Sequence, residues 1–237
     1  MVCCLIPFFN EEKRINITYY VELFQNNNNI DFLLIDDGSK DKTFEILSFL
    51  SKNNTNVLLK KNPVNLGKAE SIRKGFLELS SQQYQYLGFF DSDFATPFSE
   101  FLRILDIAIT NKLQIAFASR VNVLGTNIQR NTIRHFFSRI VITIINIIFK
   151  LNIYDTQCGC KIFSKEIIIP LFHEKFVTKW LFDIEIFIRF IKKYNTNLAK
   201  EIPIYEWKEI SGSKIKIKDF ILVPYNIYQL TYVYIFK

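Results

Sequence analysis

At 237 residues and 49% hydrophobic content, the chain is long and apolar enough for one large folded domain, which excludes intrinsic disorder. Its formal net charge of +7 implies an anionic partner: a nucleotide, a nucleic acid or an acidic lipid surface. No zinc-finger or aromatic–basic RNA-binding signature is present, so a nucleic acid is not expected. Cys3 and Cys4 lie in an apolar stretch, and Cys158 and Cys160 flank one glycine without zinc-ligand spacing, which fits a reducing compartment. The first strand begins at Val2, so no signal peptide is expected.

Along the chain, strands and helices alternate. Residues 2–6 read as a short strand that breaks at Pro7, residues 16–25 as a helix, and residues 32–35 as a strand ending at Asp36-Asp37-Gly38-Ser39. Residues 43–49 are helical, 57–59 extended, 67–79 helical, and 86–90 an apolar strand that stops at Asp91-Ser92-Asp93. Thr96 is expected to cap the next helix, with Pro97 at its first position and Glu100 in its first turn. Residues 115–118 form another buried strand. The alternation predicts an α/β fold, a mostly parallel sheet flanked by helices with a Rossmann-like nucleotide-binding half. Ligands bind such sheets beyond the carboxyl ends of the strands. Three strand ends, residues 7–12, 36–41 and 91–93, carry the polar groups and should gather in one crevice.

Asp91 and Asp93 repel each other unless something positive lies between them. Carboxylate oxygens, water and a diphosphate suit Mg²⁺ or Mn²⁺. No G-x-G-x-x-G follows the first strand and no G-x-x-x-x-G-K-[ST] occurs, so a phosphate-bearing ligand would depend on a metal at these two residues. Asp36 and Asp37 read equally well as a turn with a helix cap.

Ile6-Pro7-Phe8-Phe9-Asn10-Glu11-Glu12, Ile35-Asp36-Asp37-Gly38-Ser39-Lys40-Asp41, Asn65-Leu66-Gly67-Lys68 and Asp91-Ser92-Asp93 resemble the successive loops of inverting GT-A glycosyltransferases of family 2. Five further stretches narrow the likeness: Asp91-x-Asp93-x-Ala95-Thr96, Gln129-Arg130-x3-Arg134, Asp155-Thr156-Gln157-Cys158-Gly159, Trp180-x-Phe182-Asp183-x-Glu185 and Trp207-x-Glu209-Ile210-x-Gly212-Ser213-Lys214. These are similar to the dolichyl-phosphate β-glucosyltransferases, in order and spacing, over essentially the whole chain. The resemblance implies inverting transfer of glucose from UDP-glucose to dolichyl or another polyprenyl phosphate, a step serving protein N-glycosylation. The place would be the cytoplasmic face of a membrane: the endoplasmic reticulum in a eukaryote, the inner membrane in a bacterium. The dolichyl-phosphate mannose synthases share the first half but differ at the Asp155–Gly159 stretch, which favours UDP-glucose over GDP-mannose. The alternatives are a mannosyl- or other hexosyltransferase to the same lipid, and a non-catalytic membrane-surface subunit that binds a nucleotide. The chain departs from the family's pattern in that no N-terminal anchor is expected and Cys160 stands where an aromatic residue is common.

The resemblance assigns roles. Pro7, Phe9 and Glu11 would border the base, with Phe9 flat against it unless it is one of the 24 phenylalanines that fill the core. Asp37 would accept the imide N–H of uracil, and Lys68, Ser92 and Lys214 would approach the nucleotide. Asp93 would bind the metal directly, with Asp91 acting through metal-bound water or the ribose and phosphate. A phosphate monoester, with a second pKa of about 6, is already an anionic nucleophile and needs no general base. Arg120, Arg130 and Arg134 would position it in two-pronged fashion, with Ser138 one helical turn after Arg134. Gln157 and Asp183 would meet the sugar, while Glu185 reads better as a helical ion-pair partner.

Residues 140–149 are apolar and follow a basic stretch, but they are shorter than the about 20 residues a spanning helix needs. They suit a membrane-facing amphipathic helix. Residues 219–237, after a catalytic domain of residues 1–218, form an apolar segment in which Tyr225, Tyr228, Tyr232 and Tyr234 suit a headgroup interface. The alternative is that this segment packs under the catalytic domain.

Overall fold

The computed structural model describes residues 1–210 and 222–237, with the backbone alone for residues 133 and 134. In chain order the elements are β1 (Val2–Phe8), α1 (Ile17–Asn26), β2 (Ile30–Asp36), α2 (Thr43–Lys52), β3 (Val57–Lys61), α3 (Lys68–Leu79) and β4 (Tyr86–Phe90). There follow α4 (Phe98–Thr110), β5 (Ile115–Ser119), β6 (Asn127–Gln129), α5 (Thr132–Phe149), β7 (Cys160–Ser164) and α6 (Ile168–Phe172). The remainder are α7 (Phe182–Ile191), β8 (Ala199–Pro203), β9 (Glu206–Lys208) and α8 (Val223–Thr231), with a π-helical turn at Tyr232–Phe236. They divide into two compact units, Met1–Phe94 with Cys160–Lys175, and Ala95–Gly159 with Phe176–Lys237.

In the first unit the strands run β3-β2-β1-β4-β7. The first four are parallel and β7 returns antiparallel to β4. Leu5, Ile6, Phe32, Leu34 and Phe89 are fully or almost fully buried, as a strand covered on both faces requires. A ring cluster of Phe76, Phe89, Phe163 and Phe172 joins α3, β4, β7 and α6. At Gly75 a Cβ would meet Leu5 Cδ1 at 2.4 Å and Ile35 Cδ1 at 2.7 Å, so a larger residue there would make those side-chain ends shift.

Strand β1 does not break at Pro7 but runs through it to Phe8 in register with β2. Pairing with β4 has already ended at Leu5. Phe8 turns its carbonyl toward the β2 side, where it accepts from the Asp37 amide, so the missing N–H of Pro7 faces the side that has lost its partner. Thr96 is likewise not the cap of α4. Pro97 holds that place in an extended conformation without a side-chain bond, while Thr96 is buried with Oγ1 3.8 Å from Cys158 Sγ.

The second unit pairs β5 with β8 and β6 with β9, both parallel. Its helix α7 is buried along its length. Glu185 on α7 forms a 2.6 Å i,i+4 ion pair with Arg189. Tyr234, in the C-terminal turn, donates to Glu185 Oε1 at 2.7 Å and accepts from Arg189 Nε at 2.8 Å. Tyr225, Tyr228 and Tyr232 are exposed, but Tyr234 faces inward, and Leu230 of α8 is fully buried. The fourth tyrosine therefore anchors the segment to the protein, because Glu185 and Arg189 give its hydroxyl two partners that a headgroup position would forgo. No helix among the described residues is long and apolar enough to cross a membrane.

Candidate active site

The three polar strand ends of the first unit do gather at one edge, because β2, β1 and β4 are adjacent and parallel. Their loops are laced together. The Asn10 amide donates to Ser39 Oγ at 2.9 Å, Glu11 to Thr43 Oγ1 at 2.8 Å, and Lys40 back to Asn10 Oδ1 at 2.9 Å. Phe9 is half-buried just beyond the end of β1, so it is not one of the core phenylalanines. Pro7 is half-buried and Glu11 buried, with Glu11 Oε2 3.4 Å from Arg14 Nε.

Asp37 is 3% exposed. Its Oδ1 accepts from Asn62 Nδ2 and the Leu66 amide, both at 2.9 Å, and its Oδ2 from the Gly67 amide at 2.8 Å. These three bonds pin the loop that leads into α3, and a carboxylate with about four acceptor sites keeps capacity for one more donor. Gly38 makes this possible: its φ of +70° favours glycine, and a Cβ there would lie 2.5 Å from the Val64 backbone. The pinned loop delivers Lys68 to the first position of α3, where its Nζ is 2.5 Å from Asp91 Oδ1.

Asp93 lies 3.7 Å from Arg14. The turn carrying these carboxylates closes with a 3.5 Å bond from the Phe94 amide to the Asp91 carbonyl, and Phe94 sits at φ 50°. For a bulky L-residue that conformation costs ~1–2 kcal/mol. Its ring packs on Tyr19 at 4.7 Å, Tyr20 at 5.1 Å and Phe90 at 5.5 Å. At ~0.5–1.5 kcal/mol for each aromatic pair, these contacts outweigh the strain. Tyr20 is buried, and its hydroxyl donates to the Ser92 carbonyl at 3.0 Å. Burial, then the charges of Glu11 and Asp93, push its pKa well above the usual phenol value, so it stays a donor.

Asp91 and Asp93 side chains are 37% and 32% exposed, two hard oxygen donors at an open strand end. This donor set fits Mg²⁺ or Mn²⁺, which typically take one or two protein carboxylates and complete their shell with phosphate oxygens and water. Among the described residues no group of three His, Cys, Asp or Glu is placed to hold a metal without such help.

In the second unit the organising group is Asp155, which is buried. Arg120 binds it twice through side-chain nitrogens, Nε to Oδ2 at 2.6 Å and Nη2 to Oδ1 at 2.9 Å, and its amide adds a bond at 3.1 Å. Arg130 Nη2 reaches the same Oδ2 at 3.0 Å, and the Gln157 amide reaches Oδ1 at 3.1 Å. Glu201 holds the Asp155 backbone from behind, accepting from its amide at 2.7 Å. Burial alone would raise the Asp155 pKa, but Arg120 and Arg130 hold the carboxyl well below the usual range.

Both guanidiniums lie over Trp207, at 5.1 and 5.9 Å from the ring centroid. Arg130 Nη1 is 2.7 Å from His135 Nδ1. Burial and the neighbouring charges of Arg130 and Arg139 lower the His135 pKa, so its neutral ring accepts this bond. The result is two positive charges on one negative charge, a net-positive cluster held in place by Asp155.

Ser138 is half-buried on α5, and Asp183 is buried in the first turn of α7. The side chain of Arg134 and all of Lys214 lie outside the described residues. Sequence reasoning missed Arg14, Tyr20, Trp207 as a platform, and Asp155 as the holder of the arginines. Arg14 had a signal, the i,i+3 spacing to Glu11. Asp155 had none, since its partners are 35 and 25 residues away.

A family model described as Glycosyl transferase family 2 matches residues 3–172. A dolichyl-phosphate beta-glucosyltransferase of Trichomonas vaginalis is 30% identical over 246 residues, covering 98% of this chain and 73% of that protein. The dolichyl-phosphate beta-glucosyltransferase of Saccharomyces cerevisiae is 30% identical, covering 90% of this chain and 68% of its own. Among solved structures, the glucosyl-3-phosphoglycerate synthase of Mycobacterium tuberculosis in complex with Mn²⁺, uridine diphosphate and glucosyl-3-phosphoglycerate is similar with a TM-score of 0.68. At 14% identity, over 97% of this chain and 78% of that one, it speaks for the fold alone. Matching strand-end loops, a family match over most of the length and a shared GT-A fold agree: the chain belongs to glycosyltransferase family 2.

Proposed function

We propose that the protein transfers glucose from UDP-glucose to dolichyl phosphate with inversion, forming dolichyl β-D-glucosyl phosphate at a membrane surface. The observation that carries this reading is the pair Arg120 and Arg130 on one buried carboxylate, a net-positive cluster suited to a phosphate monoester. The similarity to dolichyl-phosphate beta-glucosyltransferases over nearly the whole chain supports it.

The acceptor phosphate oxygen forms a bond to the anomeric carbon as the bond to the UDP oxygen breaks, and the electron pair leaves with UDP. No proton has to be removed from the nucleophile, so His135 is free to serve as a partner of Arg130. Arg120 and Arg130 orient the phosphate, helped by Arg134 and Ser138. Asp91 and Asp93 would hold Mg²⁺ or Mn²⁺, whose charge stabilises the departing diphosphate. Lys68 would exchange Asp91 for the diphosphate, the group to which the motif also assigns Lys214. Phe9, Pro7 and Glu11 border the uracil, Asp37 fixes the loop beneath Lys68, and Gln157 and Asp183 meet the sugar.

The lipid chain calls for an interface. On α5, Phe136, Phe137, Ile140, Ile144 and Ile147 are exposed while Ile142, Ile145 and Phe149 are buried. At about 100° per residue the exposed five fall within one stripe, opposite the buried three. A helix apolar on both sides suits one face on the protein and the other in lipid. The membrane would be the endoplasmic reticulum in a eukaryote, approached from the cytoplasm.

The test is the Arg120→Ala variant assayed with UDP-glucose and dolichyl phosphate. Acceptor kcat/KM should fall at least about tenfold while UDP affinity stays unchanged, as expected when charge-assisted bonds to one substrate are lost. Equal damage to UDP binding would move the arginines to the donor, and unaltered kinetics would contradict the reading.

A further inference from the structure

The turn that presents Asp91 and Asp93 is held by a buried tyrosine of α1. Tyr20, from α1, is 1% exposed. Its ring is wedged against Phe8 and Phe24, each at 5.7 Å, and Phe94 at 5.1 Å. That packing fixes the ring, and the ring fixes the hydroxyl, which donates to the Ser92 carbonyl at 3.0 Å. Ser92 is the residue between the two carboxylates. Phe94, which follows them, is held at φ 50° with its amide on the Asp91 carbonyl at 3.5 Å. A bulky residue stays in that region only when its surroundings over-determine it. Tyr20 supplies two of the restraints, a ring contact on one side of Asp93 and a hydrogen bond on the other.

We infer that Tyr20 is a positioning residue that pre-sets the Asp91-Ser92-Asp93 turn in its metal-binding shape through the hydroxyl bond to the Ser92 carbonyl. The inference rests on the reading of Asp91 and Asp93 as metal-binding carboxylates. It assigns Tyr20 a role in divalent-cation affinity although its hydroxyl contacts only backbone.

The variant is Tyr20→Phe, which keeps the ring and its packing and removes only the hydroxyl. Hydrogen exchange of the Phe94 amide, measured without metal, should accelerate at least about fivefold. Mn²⁺ affinity, titrated by electron paramagnetic resonance with UDP present, should weaken about threefold to tenfold, the loss expected of one hydrogen bond. The melting temperature should stay within about 4 °C of wild type, and acceptor KM should not move. Unchanged exchange overturns the inference, and so does unchanged Mn²⁺ affinity in the variant when wild type binds Mn²⁺. Wild type that binds no Mn²⁺ in the presence of UDP overturns the metal reading itself and the inference with it.

Discussion

Asp155 shows how one residue can set the charge of a site. Its carboxyl serves Arg120 and Arg130 at once, and its folded pKa lies below its ordinary value. A group depressed in this way adds stability that is complete above its unfolded pKa of ~3.9 and is lost as pH falls through the lower folded value. Asp155→Asn removes the charge and leaves two guanidiniums beside a neutral amide. Breaking a buried ion pair from one side costs about 3 kcal/mol, or about 6–12 °C in melting temperature for a chain of this size. Differential scanning calorimetry should show that gap at pH 7 and a smaller one below about pH 3.9, where the wild-type carboxylate begins to lose its advantage. A gap independent of pH would mean that the carboxylate's charge is not what holds the arginines. The arginines themselves were legible only as candidates for holding a phosphate. Their holder was not, because long-range pairing leaves no periodic mark on a sequence, and Asp155 was read only as part of a marker for the donor.

At the scale of elements, α5 is the part most exposed to a direct test. Its apolar run and preceding basic stretch were legible, but which side chains face out was not, because isoleucine covers both sides of the helix. Burial distinguishes them: Ile142 and Ile145 face the protein, Ile144 and Ile147 face away. The double variant Ile144→Asn, Ile147→Asn should keep its melting temperature and lose at least about tenfold in binding to anionic phospholipid vesicles by co-sedimentation. The ordinary value of burying one isoleucine, about 1.5–3 kcal/mol, sets that scale. Unchanged vesicle binding would take α5 off the membrane, and a large fall in melting temperature would show that the stripe packs against protein. Elsewhere β4 fell where the apolar run ended, since a buried strand stopped by two carboxylates is unambiguous. Pro7 and Thr96 misled for the same physical reason. Local rules treat a proline as a break and a threonine as a cap, whereas here a lost neighbouring strand and a buried cysteine decide both.

At the scale of the whole molecule, the first unit brings the ends of β1, β2 and β4 to one edge, and the second binds two arginines to one carboxylate. The alternating pattern was enough to anticipate the parallel sheet, because each strand–helix step obeys the same packing rule. The antiparallel return of β7 was not anticipated, since a five-residue strand far along the chain carries no sign of its direction. Inverting transfer to a phosphate is the proposed reaction, and one product analysis tests it most directly. The purified protein would be incubated with glucose-¹³C-labelled UDP-glucose, dolichyl phosphate and Mn²⁺, and the lipid product examined by ¹H and ³¹P nuclear magnetic resonance. The account predicts a single glucosyl phosphate with the anomeric coupling of the β configuration, formed more readily than the mannosyl product from GDP-mannose. An α-linked product, transfer to a different acceptor alone, or a preference for GDP-mannose would contradict it.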